Sequence, residues 1–237
     1  GGGNGGGNTA GGGGAGLGGA LFNNYQGSVT ITNSTFSGNT TTAGTGISNG
    51  TAYGSGLFNR NGTVTVINST INESVYNLGT SNDDYSGGPS RSGGTLTLLN
   101  TIISTCNNNG GTVVGPSANR NLIQNNTGCD TPYLTGNPNL SALQNNGGLT
   151  KTMMLLQPSI AIDAGDNSVL SSPYSLTTDQ TGKPRQANSI VDIGAFESQL
   201  VLNPATFPNA QVGTSYNQTI TATDGTSPYT FVVTGGT

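Results

Sequence analysis

Histidine and tryptophan are absent from this chain of 237 residues, cysteine occurs twice, and charged side chains make up only 7%. Without imidazole, neither a Ser-His-Asp nor a Cys-His nucleophile can be assembled, and the common nitrogen ligand of metal sites is missing. The six bases, Arg60, Arg91, Arg120, Lys151, Lys183 and Arg185, are scattered among ten acids, for a net charge of −4. That distribution leaves no electrostatic footprint for nucleic acid. The longest apolar run, Met153 to Leu156, is four residues, far short of the roughly 18 a membrane span requires. Gly1 stands where Met would open a translated chain, so a processed product or a piece of a longer protein is expected, with any signal peptide upstream.

What fills the chain instead is glycine, 40 residues of it, together with Asn, Thr and Ser, while hydrophobic residues reach 31%. These polar types favour turns and strands over helices. A disordered chain stays soluble through net charge, which is nearly missing here, so an ordered, polar, β-rich fold is expected.

Repeats give that expectation a form. Val29-Thr-Ile-Thr-Asn-Ser-Thr-Phe-Ser-Gly-Asn39, Val64-Thr-Val-Ile-Asn-Ser-Thr-Ile-Asn-Glu-Ser74 and Leu96-Thr-Leu-Leu-Asn-Thr-Ile-Ile-Ser-Thr-Cys106 align without gaps at spacings of 35 and 32 residues. Upstream of the first two lies a second shared block, Gly19-Ala-Leu-Phe-Asn23 and Gly56-Leu-Phe-Asn59. Each repeat reads as two short strands parted by Gly or Asn turns and followed by a variable loop, Thr40 to Tyr53 or Tyr76 to Ser90. Short strands sharing a period, with no helix between them, are the signature of a β-solenoid. Alternation predicts Val29, Ile31, Val64, Val66, Leu96 and Leu98 facing inward and Thr30, Thr65 and Thr97 outward. The column Asn33, Asn68, Asn100 is expected at a bend, since Asn tolerates the left-handed conformation and its amides can bond from rung to rung. Phe36, Ile71 and Ile103 then return to the interior.

Gly18-Gly-Ala-Leu21 and Phe36-Ser-Gly-Asn39 resemble the short repeats of secreted right-handed parallel β-helix proteins, including bacterial surface adhesins and the polymorphic outer-membrane proteins of chlamydiae. Pro158-Ser-Ile-Ala-Ile-Asp163-Ala-Gly165, Asp179-Gln-Thr-Gly-Lys-Pro-Arg185 and Val191-Asp-Ile-Gly-Ala-Phe-Glu197 are similar, in order and spacing, to the choice-of-anchor Q domain. That resemblance implies a non-catalytic domain following a bacterial β-helix. After Gln199, Val212-Gly-Thr-Ser-Tyr216, Thr219-Ile-Thr-Ala-Thr-Asp-Gly225 and Pro228-Tyr-Thr-Phe-Val-Val233 look like the opening half of a bacterial immunoglobulin-like module. Such a sandwich takes about seven strands, of which about three fit here. The expected fold is all-β: a right-handed parallel β-helix (solenoid) over 1–136, an anchor-like C-terminal cap over 137–199 and a partial immunoglobulin-like β-sandwich over 200–237.

Cys106 and Cys129, with no His as companion ligand, read as one disulfide of a secreted protein, fastening the loop Asn107 to Gly128 by roughly 3 kcal/mol in the chain-entropy model. Adjacent Asp83 and Asp84, near Arg91 in the sequence, raise the question of glycoside hydrolysis. Two carboxyls must flank the scissile bond about 5 to 9.5 Å apart, and a solvated polar loop is the preferred reading. Asp163, Asp179, Arg185, Asp192 and Glu197 read as a cap motif whose carboxylates accept turn N–H groups and pair with Arg185 at the end of the solenoid, in preference to a cation or ligand site. No metal or cofactor is expected. Nine sequons, at Asn33, Asn39, Asn49, Asn61, Asn68, Asn72, Asn125, Asn139 and Asn217, are acceptors only where the glycosylation machinery exists.

These features point to a non-enzymatic extracellular or cell-surface protein with a structural, adhesive or filament-forming role. Its partners would be further copies of itself, or surface glycans. Tyr216, Ile220, Ala222, Tyr229, Phe231 and Val233 are the expected assembly residues, on strands that pair with a neighbouring copy head to tail. A carbohydrate-active or glycan-binding β-helix is the alternative. A minor alternative is ice binding through the outward Ser28-x-Thr30, Thr63-x-Thr65 and Thr95-x-Thr97 hydroxyls, which Thr32, Ile67 and Leu99 do not extend.

Overall fold

Buried apolar side chains at matching positions of successive turns organise the chain. A computed structural model describes residues 11–79, 93–115, 120–129, 131–199, 201–204, 206–223 and 231. Two compact units result, Gly1–Glu197 and Ser198–Thr237. In the first, β1 (Gly16–Leu17) precedes a rung built from β2 (Leu21–Asn23), β3 (Ser28–Thr32) and β4 (Thr35–Phe36). After β5 (Ala52–Tyr53), the second rung runs through β6 (Leu57–Arg60), β7 (Thr63–Ile67) and the start of β8 (Thr70–Leu78). The rest of β8, then β9 (Thr95–Leu99) and the start of β10 (Ile102–Asn109), form the third. The end of β10 with β11 (Thr112–Val114) and β12 (Leu122–Thr127) forms the fourth.

Pairing is parallel in all three sheets of this unit. The sheet orders are β12-β10-β8-β6-β2 with β4 beside β8, then β11-β9-β7-β3, then β1-β5. Register keeps like with like: Val64 pairs Val29 on one side and Leu96 on the other, and Ile71 pairs Phe36 and Ile103. The first unit is therefore all-β with parallel sheets stacked in register, consistent with a parallel β-helix. Four inward columns make its core: Leu21, Leu57, Val75 and Cys106; Val29, Val64, Leu96 and Val113; Ile31, Val66 and Leu98; Phe36, Ile71, Ile103 and Ile123. Val64, Val66 and Leu96 are wholly buried, and Thr30 lies on the exposed side, as alternation requires.

Two expectations need correction. Tyr76 to Leu78, read as loop, end strand β8, and the two variable segments leave the coil at different corners, Thr40 to Tyr53 after the fourth column and the other after the first. The second shared block also has members the alignment missed. Val75, Tyr76 and Asn77 pair with Leu57, Phe58 and Asn59 only 18 positions apart, because β8 passes from one rung into the next without a loop. The outward aromatics of this block stack, Phe22 on Phe58 at 5.6 Å and Phe58 on Tyr76 at 5.4 Å between ring centroids.

At the end of the first column's block lies an inward row of amides. Asn23 Nδ2 donates to Asn59 Oδ1 at 2.9 Å, Asn59 Nδ2 to Asn77 Oδ1 at 2.8 Å, and Asn77 Nδ2 to Asn108 Oδ1 at 2.9 Å. The same nitrogens donate to the carbonyls of Gly27, Gly62 and Gly94. Close packing explains those glycines: a Cβ at Gly62 would come within 2.3 Å of Asn23 Nδ2, and one at Gly94 within 2.7 Å of Asn59 Nδ2.

In the second unit, β13 (Val201–Asn203) pairs antiparallel with β14 (Thr221–Thr223), Leu202 opposite Ala222.

Two outcomes check this architecture. Val66→Asp places a carboxylate where the native side chain has no exposure, and loss of the cooperative thermal transition in circular dichroism is expected, whereas Thr65→Asp on the outward side changes stability by only about 1 kcal/mol. Asn59→Ala strands the amides above and below it. It should lower stability by roughly 2 to 3 kcal/mol in urea unfolding, and a loss as small as that of an exposed-Asn control such as Asn72→Ala would refute the ladder's role.

Candidate functional site

The Asn column at the bend is the foundation on which residues 137–197 are laid. Asn33, Asn68 and Asn100 have φ of 46°, 42° and 49°, the left-handed conformation expected for them. Their amides turn outward to the later segment. Asn33 Nδ2 donates to the Thr178 carbonyl at 2.7 Å, and Asn100 Nδ2 to the Asp166 carbonyl at 3.0 Å. Asn100 Oδ1 accepts from the Asp166 amide at 2.8 Å. The rung-to-rung amide contact expected here reduces to a long one, Asn100 to Asn68 at 3.4 Å.

On either side of this corner, outward apolar side chains are covered. Ile67 and Leu99 pack under Val169 and Val191, while Ile102 and Leu122 pack with Leu155, Ala161 and Ile193. The segment thus lies along the flank of the rungs, touching Asn33 of the first and Leu122 of the fourth, where the sequence reading set it over an end. Ahead of this segment, Leu134 continues the coil, bridging to Leu122 in parallel. Flank placement follows from Ile67 and Leu99, outward residues too apolar to remain wet.

Arg185, Glu197, Asp179 and Asp192 come together beneath this flank, all buried. Arg185 Nη1 donates to the Gly194 carbonyl at 3.1 Å and lies 3.6 Å from Glu197 Oε2. Its Nη2 donates to the Ala195 carbonyl at 2.9 Å and to Asn33 Oδ1 at 3.0 Å, joining the cluster to the first rung. Its Nε has no hydrogen-bond partner among the described residues. Gly194, at φ 109°, is needed where it sits, since a Cβ there would meet Ile102 Cδ1 at 2.8 Å.

The carboxylates are held by backbone amides. Asp179 Oδ1 accepts from the amides of Thr181 and Lys183 and from the Thr181 hydroxyl, and its Oδ2 from the Glu197 amide at 3.0 Å. Glu197 accepts from the amides of Ala187 and Asp192, and Asp192 Oδ1 accepts from the Asp163 amide at 2.7 Å. Asp163 itself is exposed: its backbone amide reaches the buried group, while its carboxylate accepts from Asn188 Nδ2 at 3.3 Å. Burial pulls the Arg185 guanidinium below its ordinary value, opposed chiefly by Glu197. Burial first, and the neighbouring Asp192 second, push Glu197 up to about 8. Among the described residues, no group of three or more His, Cys, Asp and Glu is arranged to hold a metal. Chemically, one cation and the carboxylates beside it hold the irregular chain of residues 179–197 together and join it to Asn33.

Cys106 and Cys129 form a disulfide. It does more than fasten a loop: most of Asn107 to Gly128 is strand, and both cysteines belong to the apolar core, Cys106 as the fourth member of the Leu21, Leu57, Val75 column. Tyr216, Ile220 and Phe231 are exposed in the second unit and Ala222 lies in β14. Asp83, Asp84, Arg91, Tyr229 and Val233 lie outside the described residues. Sequence reasoning missed the ladder of Asn23, Asn59, Asn77 and Asn108, although the shared Leu-Phe-Asn of the first two was a signal for it.

No protein-family model, curated protein or solved structure matches the chain. The family resemblances therefore rest on the quoted motifs alone.

Titration of Glu197 has a readable consequence. Its folded pKa lies above the ordinary value of 4.5, so its contribution to stability is complete below pH 4.5 and is lost as pH rises toward about 8. Urea midpoints should fall across that window, and Glu197→Gln should flatten the fall while matching the parent near pH 4.5. An unchanged slope in the variant would show that another group titrates.

Proposed function

We propose that this chain is part of a non-enzymatic, extracellular surface protein, a right-handed parallel β-helix whose flank is locked by an anchor-like segment and whose C-terminal residues belong to an immunoglobulin-like module. Its role is structural or adhesive, with assembly into filaments through the C-terminal strands. One observation carries the non-enzymatic part: the buried carboxylates Asp179, Asp192 and Glu197 are occupied by backbone amides and Arg185, the bonding of a clamp. The Cys106–Cys129 disulfide supports an oxidising compartment, and no helix among the described residues is long and apolar enough to cross a membrane. Exposed Tyr216, Ile220 and Phe231 support a joint made by the second unit.

Electron microscopy of the full chain beside a version ending at Gln199 tests assembly. Fibres from the full chain and a folded monomer from the shorter one are expected. Fibres from both would remove the C-terminal strands from the joint, and monomers from both would end the filament reading.

A further inference from the structure

The outward face of the four-stranded sheet repeats one short pattern: Gly27-Ser-Val-Thr30, Gly62-Thr-Val-Thr65, Gly94-Thr-Leu-Thr97 and Gly111-Thr-Val-Val114. Register stacks these rows without slip. Ser28 pairs Thr63, Thr63 pairs Thr95, and Thr95 pairs Thr112; Thr30, Thr65, Thr97 and Val114 follow in the same order. The hydroxyl array is thus one rung deeper than the sequence repeats showed, since Thr112 completes a fourth row.

Three properties set this face apart. Adjacent hydroxyls stand about 4.8 Å apart between rungs and about 7 Å apart along each strand. Among the described residues, none of these seven hydroxyls hydrogen-bonds to another protein group, although Ser34, Ser69 and Thr101 on the neighbouring corner all do. The rows are also rigid, backed by Val64, Val66, Leu96 and Leu98 and anchored at their Gly ends by the amide ladder. A Thr row offers a methyl and a hydroxyl at each step, so a two-column array can hold waters in a fixed plane at spacings comparable to those of water oxygens on an ice surface.

We propose that this face binds ice, through ordered water held on Ser28, Thr30, Thr63, Thr65, Thr95, Thr97 and Thr112. Area and charge decide against a protein occupant. The two columns cover on the order of 100 Å², while a stable protein contact takes about 800 Å² from each partner. No ionisable side chain lies in either column, which suits a neutral lattice and gives a charged partner nothing to pair with. A platform for stacking sugars would need aromatic rings, which these columns lack. Ice binding at this face does not require that the chain form filaments.

The test is ice recrystallisation in a frozen film containing the full chain, with Thr65→Tyr and Thr30→Lys as variants and circular dichroism melts as folding controls. The intact chain should slow grain growth, and each folded variant should need about tenfold more protein for the same effect. Thr30 is exposed on the edge strand, so its variant reports even where Thr65→Tyr fails to fold. Grain growth unaffected by the intact chain overturns the proposal, as does equal inhibition by the folded variants. A change in sedimentation of the variants without any effect on ice would assign the face to a second copy instead.

Discussion

A buried amide has to be paired, and in this chain that requirement is met by another copy of the same residue one rung away. Asn59 accepts from Asn23 and donates to Asn77, so neither its identity nor its height in the stack can change alone. Much else follows from this ladder. It leaves no room for a Cβ at Gly62 or Gly94, which makes each corner tight and starts the next strand at a fixed place. Each following strand then begins in register, so its inward residues meet in columns and its outward hydroxyls in rows. A slip of one residue would turn Val64 and Val66 to solvent and Thr65 into the core.

The flank segment answers a different constraint. Ile67 and Leu99 point away from the solenoid core, and Ile102 and Leu122 do the same past the Asn corner. A coil with such an exterior needs a cover, and residues 137–197 supply it with few regular elements of their own. Irregular backbone at a buried site must find partners for its N–H and C=O groups. Arg185, Asp179, Asp192 and Glu197 provide them, which explains why so weakly charged a chain concentrates four ionisable groups in one place. Burial, with Asp192 beside it, holds Glu197 well above the ordinary carboxylate range even though Arg185 pulls the other way.

The covered and uncovered outer faces divide the labour. Apolar outward columns are consumed by the flank; the Ser and Thr columns beside them stay open to water. The disulfide closes the core beyond Cys106, where the run of apolar residues ends.

Residues within a few positions of each other, and repeats a fixed distance apart, settled the all-β character with like strands stacked in register, the inward faces of Val64, Val66, Leu96 and Leu98, the left-handed bends at Asn33, Asn68 and Asn100, and the pairing of the only two cysteines. These were legible because alternation and backbone conformation are local, and a repeat copies them visibly. The amide ladder was half visible in Leu-Phe-Asn, but Asn77 and Asn108 arrive at irregular spacing, since β8 and β10 run from one rung into the next with no loop. Where the motif of Asp179, Arg185, Asp192 and Glu197 would sit was decided by tertiary structure alone. Its place depends on which outward columns of distant strands are too apolar to stay in water, and that sum exists only once the rungs are stacked.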